Sequence, residues 1–307
     1  MECVALGNLG ELSACLGNFP QALDYLEQAL RINQEIGFRF SEMIVLHTKG
    51  GIYISQGEYP HAKDVLENSL ALAKELGTPE WEVKTLTKLG ILHDCLGQYA
   101  QSQEYFDACF NITGKIDIKS EESDVRAAQG LLLQHVHQLE LSKESLLRAI
   151  EICEDVNDKG TESNANLHLG NTLAELGNLI EAKKAYYLSI KLWNQLGQTF
   201  LINEPKAGLA TIALQDGDLD EALEHVEQIV DFLKDNTLDG TDEPMRIYLT
   251  CYQVLQAAND PRADEILTQA HTVLMERANK ITDDAMRTSY LENVAANRQI
   301  MEVFLER

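Results

Sequence analysis

Apolar side chains recur every three or four positions along the first forty residues, and then the pattern loses step once. Leu6, Leu9, Leu12 and Leu16 form one stripe. Gly17-Asn18 interrupts it, and Leu23, Leu26 and Leu30 with Ile32 and Ile36 form a second. A period near 3.6 residues places each stripe on one face of a helix, so this stretch predicts two amphipathic helices joined by a tight turn.

The pattern returns with a period of forty. Gly10, Gly50, Gly90, Gly130 and Gly170 fall forty residues apart, and Ala210 takes the sixth place. Seven residues on come Gly17, Gly57, Gly97, Gly177 and Gly217, with His137 as the exception. Small residues follow in phase at Ala22, Ala62, Ser102, Ser142, Ala182 and Ala222, and again at Ala29, Ser69, Cys109, Ala149 and Ser189. Large apolar residues keep step at Leu30, Leu70, Phe110, Ile150, Ile190 and Val230. The small positions are where two helices must approach closely. Pro20 and Pro60 fall in the expected first turn of a second helix, where a missing N–H does no harm. A single helix pair of this length cannot offset the entropy of ordering it, so the units must stack into an array.

These residues resemble the tetratricopeptide repeat. Its marks are Leu-Gly or Leu-Ala in the first helix, glycine near the turn, and two small residues in the second helix. Leu9-Gly10, Leu89-Gly90, Leu169-Gly170 and Leu209-Ala210 carry them, as do the Gly17 and Ala22 series. The forty-residue unit, with Glu35-Ile36-Gly37 and Glu75-Leu76-Gly77 closing second helices, is similar to the repeats of kinesin light chains and spindle-orientation adaptors. It also resembles the sensor domains of bacterial signal-transduction ATPases with numerous domains, the maltose-regulon activator among them. The resemblance implies an all-α, right-handed superhelix.

Six units are clear, at about 1–38, 39–78, 79–118, 119–158, 159–198 and 199–238. A degenerate seventh spans 239–280, turning at Asn259-Asp260-Pro261, and completes an array over 1–280. Residues 281–307 are expected to form one capping helix, started by Asp283 and carrying Met286, Tyr290 and Val294. His137 implies a turn unlike its siblings. Asp117 and Asn157 replace glycines between units, and Asn157 is the milder change because asparagine tolerates a left-handed helix end. Met1 stands directly before a helix already in phase, which suggests a piece of a longer chain.

Charge narrows the partners. With 49 acidic and 25 basic residues the formal charge is −24, which argues against phosphate-backbone binding and against anionic membranes. No apolar run approaches a membrane span. Six scattered cysteines without a C-x-x-C pair fit reduced thiols in a cytoplasmic protein.

Chemistry is sparse. There is no phosphate loop and no G-x-S-x-G elbow, and no histidine pair has the i, i+4 spacing of a helical metal site. His135 and His137 are two apart, hence on different faces. Glu121-Glu122 and Asp283-Asp284 sit at expected helix starts, where the helix dipole favours them. The expectation is a protein without catalysis, cofactor or metal.

Function then lies on a surface. The resemblance implies that first helices line a concave groove, here at phases 4, 7, 8, 11, 14 and 15 of each unit. In the six clear units Lys84 and Lys88 are the only lysines or arginines at these phases, one helical turn apart. His47 and His168 would flank them, and Asn164 and Asn171 would offer amides that pair with a peptide backbone. The expected ligand is a peptide or protein segment, or a small anionic molecule. The alternative is effector sensing within a larger regulator or signal-transduction ATPase. An uncapped first repeat could also mediate self-association.

Overall fold

The computed structural model describes residues 2–306; Met1 and Arg307 lie outside them. The described residues form helices and turns without strands. The first five units are helix pairs: α1 (Glu2–Cys15) with α2 (Phe19–Ile36), α3 (Arg39–Ser55) with α4 (Tyr59–Leu76), α5 (Pro79–Cys95) with α6 (Tyr99–Thr113), α7 (Lys119–His135) with α8 (Leu139–Val156), and α9 (Lys159–Glu175) with α10 (Leu179–Leu196). A 3-10 turn over Thr199–Ile202 leads into α11 (Asn203–Gln215), paired with α12 (Leu219–Leu233). The seventh unit is α13 (Pro244–Ala257) with α14 (Arg262–Lys280), followed by α15 (Asp284–Glu292) and α16 (Ala295–Leu305). The fold is an all-α tetratricopeptide-type solenoid.

The small-residue series explains the pairing. Ala22, Ala62, Ser102, Ser142, Ala182 and Ala222 are all fully buried, and so are Ala29, Ser69, Cys109, Ala149 and Ser189. Each phase-10 glycine takes a large side chain from its partner helix. A Cβ on Gly130 would lie 2.4 Å from Leu146 Cγ, and one on Gly170 would lie 2.6 Å from Tyr186. In unit six Ala210 replaces the glycine, and the residue at the matching phase is the smaller Val226, buried in the same cluster.

Two expectations are corrected. His137 does not change its turn. It adopts φ 58°, in the left-handed region its sibling glycines use. The bonds also match: Gln138 N–H reaches Leu133 O at 2.8 Å, as Glu58 N–H reaches Tyr53 O at 2.8 Å. Helix packing on both sides fixes the turn and overrides the side chain's preference. The C-terminal region is not one helix but two. Asp283 does cap the first, accepting from Met286 N–H at 2.8 Å, but Val294 is extended and α16 starts anew. Where Asp117 replaces the left-handed glycine of its siblings, α6 has already ended at Thr113 and is 15 residues long.

The array curls until its end meets its beginning. In unit one Phe19 packs edge-on against Phe200, with ring centroids 6.5 Å apart. In unit two Arg277 Nη2 donates to Ser55 O at 3.1 Å, Lys280 pairs with Glu58 at 2.8 Å, and Tyr59 meets Tyr290 at 5.5 Å. A Cβ on Gly57 would fall 2.6 Å from Arg277 Cδ, so this close approach needs glycine as well as its positive φ. In unit three Asn293 Nδ2 donates to Gly97 O, and Tyr99 donates to Asn293 O, both at 3.2 Å. α16 packs on α13 and α14, covering the seventh unit.

Candidate functional site

The closed curl surrounds a central cavity of about 590 Å³. That is within the range of small-molecule and peptide sites, about 300–1,000 Å³. Its wall comes from the concave phases of units one to five, including Glu11, His47, Lys84, Lys88, Asp124 and Asn164. The far wall is supplied by the segment 240–246, Arg277, Tyr290 and the start of α16.

His47, Lys84 and Lys88 do come together. Burial, then Lys88 and Lys84, lower the His47 pKa to about 3, so its imidazole is neutral at physiological pH. Its ring stands edge-on to Trp81 at 5.5 Å, and Nδ1 lies 3.4 Å from Thr85 Oγ1. Lys84 is partly committed: its ammonium lies 5.1 Å from the Trp81 ring centroid and 3.4 Å from Glu121. Lys88 makes no ion pair among the described residues and lines the cavity. Across from it Asp124 accepts from Thr161 Oγ1 at 2.5 Å. Burial pushes the Asp124 pKa up, against the lowering by that hydrogen bond and by Lys88.

The other expected residues divide. Asn164 is on the cavity wall and partly exposed. His168 is on the wall but buried, its Nε2 3.0 Å from Asp242 Oδ2. Asn171 is not on the wall. It is buried between helices, where its Oδ1 accepts from the Tyr186 hydroxyl at 2.8 Å. Its phase faces the unit interface once a large aromatic fills the space beside Gly170.

Sequence reasoning missed the strongest feature, an acidic segment of the chain's own that occupies the groove of units four to six. Glu204 accepts from the N–H groups of Asp242 and Glu243, both at 3.0 Å. Arg277 holds Asp239 at 2.7 Å. Glu243 bridges Arg246 at 2.9 Å and His135 Nε2 at 3.2 Å, and His135 Nδ1 meets Asp94 at 3.0 Å. Burial opposes a charge on His135, but Asp94 and Glu243 outweigh it and raise its pKa well above the ordinary value. Burial also opposes ionisation of Glu243, yet Arg246 and His135 hold its pKa far below the usual range. Burial, Asp242 and Glu243 raise that of Glu204. Arg246 and Arg277 therefore join Lys84 and Lys88 as cavity cations, contributed by the degenerate unit whose phases were least readable.

Trp193, on the second helix α10, also reaches the cavity, and its buried indole Nε1–H has no partner among the described residues. Cys95 lines the wall, but burial, then Asp94, raises its thiol pKa far above the usual value, which leaves no nucleophilic thiolate. No group of three or more His, Cys, Asp or Glu among the described residues is placed to hold a metal ion. No described helix is long and apolar enough to cross a membrane.

A stack of helical hairpins curled around a central cavity defines a helical-repeat scaffold. Profiles of the tetratricopeptide repeat match residues 1–75 and 41–114, 163–195, and 204–228, together more than half of the chain. The chain belongs to the tetratricopeptide-repeat family. None of the curated proteins matches it in sequence. Among solved structures, a Rap protein complexed with competence and sporulation factor is similar at a TM-score of 0.60 and 16% identity, over 93% of this chain and 81% of that one. A signal transduction ATPase with numerous domains from Pyrococcus horikoshii, which carries a tetratricopeptide repeat sensor, gives 0.59 and 15% over 99% of this chain and 47% of that one. BtubC (BKLC) from P. vanneervenii gives 0.52 and 14% over 73% and 89%. At these identities the likeness is one of fold.

Proposed function

We propose that the chain is a non-catalytic recognition module that holds a short peptide or protein segment in its central cavity. The observation that carries this is the cavity itself. It is walled by the concave phases of five units, with an uncommitted cation at Lys88, a partly exposed amide at Asn164 and an unpartnered indole N–H at Trp193. Apolar side chains at Ile54, Ile91 and Leu131 complete the wall. Such a surface suits an extended backbone bearing an acidic group and an aliphatic side chain. The Glu204 carboxylate already grips two successive backbone N–H groups of the chain's own segment, so these first helices are chemically able to hold peptide.

A sensing role within a larger protein is the second reading. It is favoured by the likeness of nearly the whole chain to just under half of a signal-transduction ATPase that bears a tetratricopeptide repeat sensor. Both readings use the same cavity.

The test starts from a library of short synthetic peptides with acidic and neutral C-terminal residues, read by thermal shift and then by calorimetry. For any peptide that binds, Lys84→Ala with Lys88→Ala should weaken affinity by roughly 1–3 kcal/mol, the scale of lost charge-assisted hydrogen bonds. The melting temperature of the free protein should move little, since Lys84 makes one partly exposed ion pair and Lys88 makes none among the described residues. Affinity unchanged within about twofold would remove these lysines from the site.

A further inference from the structure

The outward face of the second helices repeats one chemistry, and units four and five break it. At phase 24 stand Asp24, Asp64, Glu104, Glu144 and Glu224, but Lys184 in unit five. At phase 27 stand Glu27, Glu67, Asp107 and Glu227, but Leu147 and Tyr187 in units four and five. At phase 28 Gln28, Asn68, Arg148 and Gln228 are polar and Ala108 is small, while Leu188 is large and apolar.

The structure brings three of these departures to one place. Leu147 of α8 and Leu188 of α10 wall a shallow groove of about 500 Å³ on the convex side, away from the central cavity. Its floor includes Leu169 and Leu173 of α9, and Lys143 and Lys184 stand on its flanks. Leu147 is 48% exposed and Leu188 36%. Elsewhere ion pairs tie one unit to the next: Glu27 to Lys49 at 2.5 Å, Lys183 to Glu221 at 3.3 Å, and Glu227 to Arg262. Between units four and five no ion pair crosses among the described residues. Among the described residues Lys143 meets only Glu140 of its own helix, at 4.0 Å, and Lys184 meets no carboxylate.

We propose that this groove docks an acidic amphipathic helix of a partner protein. A trough between two second helices, floored by a third helix, has the shape that receives a helix, with aliphatic anchors one turn apart set between Leu147 and Leu188. Charge selects the sign. The chain carries −24, and a basic helix would be drawn to the acidic phases of every other unit. At this groove the repeated acid is replaced by Lys184, with Lys143 opposite, and Glu181 is the one carboxylate on its wall. An acidic flank is therefore accepted here and repelled elsewhere.

The array itself supplies the variant that tests this. Leu147→Glu with Lys184→Glu installs residues that sibling units already carry at the same phases and should therefore fold. The probe is a fluorescein-labelled synthetic helix of about 16 residues, about 24 Å long, with leucines at i, i+4 and i+7 and glutamates beside them. Its counterpart carries lysines in place of the glutamates. By anisotropy, the acidic helix should bind at least about tenfold tighter than the lysine helix. It should lose at least about tenfold on the double variant. Lys84→Ala with Lys88→Ala should leave it unchanged, which separates this surface from the cavity. The proposal is overturned if the acidic helix does not bind, if both helices bind alike, or if the double variant binds as well as the parent. A concentration-dependent dimer in sedimentation that the double variant dissolves would also overturn it, assigning the groove to a second copy.

Discussion

His135 stands where three elements meet. Asp94 from the end of α5 and Glu243 from the start of α13 take its two ring nitrogens, the Tyr99 ring of α6 lies 5.7 Å away, and Arg246 shares Glu243. Its pKa is raised in the folded state. Its stabilising contribution is thus full below the unfolded value of about 6.5 and is lost as pH rises through the higher folded value. Glu243 has the opposite sign: its contribution is present above about 4.5 in the unfolded chain and is lost only in strong acid. The protein should therefore lose stability as pH rises above about 6.5, by at most about 1.4 kcal/mol per pH unit from this one proton. His135→Gln should flatten that limb. Urea midpoints measured from pH 6 to 9 check it, and parallel curves for the two proteins would show that His135 titrates normally.

At the scale of the helix pair, the glycine–large pairing sets how closely first and second helices approach. Gly130→Ala should cost about 1–3 kcal/mol, because its Cβ would meet a fully buried Leu146 with no room to retreat. Adding Leu146→Val should recover much of the loss, since unit six already pairs Ala210 with Val226. Chemical denaturation of the two variants checks the coupling, and additive effects would mean that the two residues do not share the space. This level was legible in the sequence, because one unit repeated six times displays its packing rule as a column of small residues. His137 was misread because a side chain's own preference was weighed and the two packed helices that fix the turn were not. The cavity was legible by half. Phases placed His47, Lys84, Lys88, Asn164 and His168 on its wall, while Asn171 depended on which way Tyr186 filled the neighbouring space. Glu243, Arg246 and Arg277 were out of reach, since in the degenerate unit they fall outside the phases read as groove-facing and nothing local ties His135 to a residue 108 positions away.

For the whole molecule, the contacts that join the last units to the first three decide how the array behaves. Deleting residues 281–307 removes Tyr290 and Asn293 from the turns of units two and three as well as the cover over α13 and α14. The truncated protein should aggregate or fray, and hydrogen exchange should rise at the turns around Gly57 and Gly97 as strongly as in α14. A truncated monomer with an unchanged melt would show that these helices neither cover the seventh unit nor hold the curl. Open arrays gain or lose a unit at little cost, because each unit touches only its neighbours. Here Arg277 must arrive opposite Ser55, and Asn293 opposite Gly97. One hairpin more or fewer between them would rotate both partners out of reach, so the number of repeats from unit two to unit seven is set by circumference, as the staves of a barrel are.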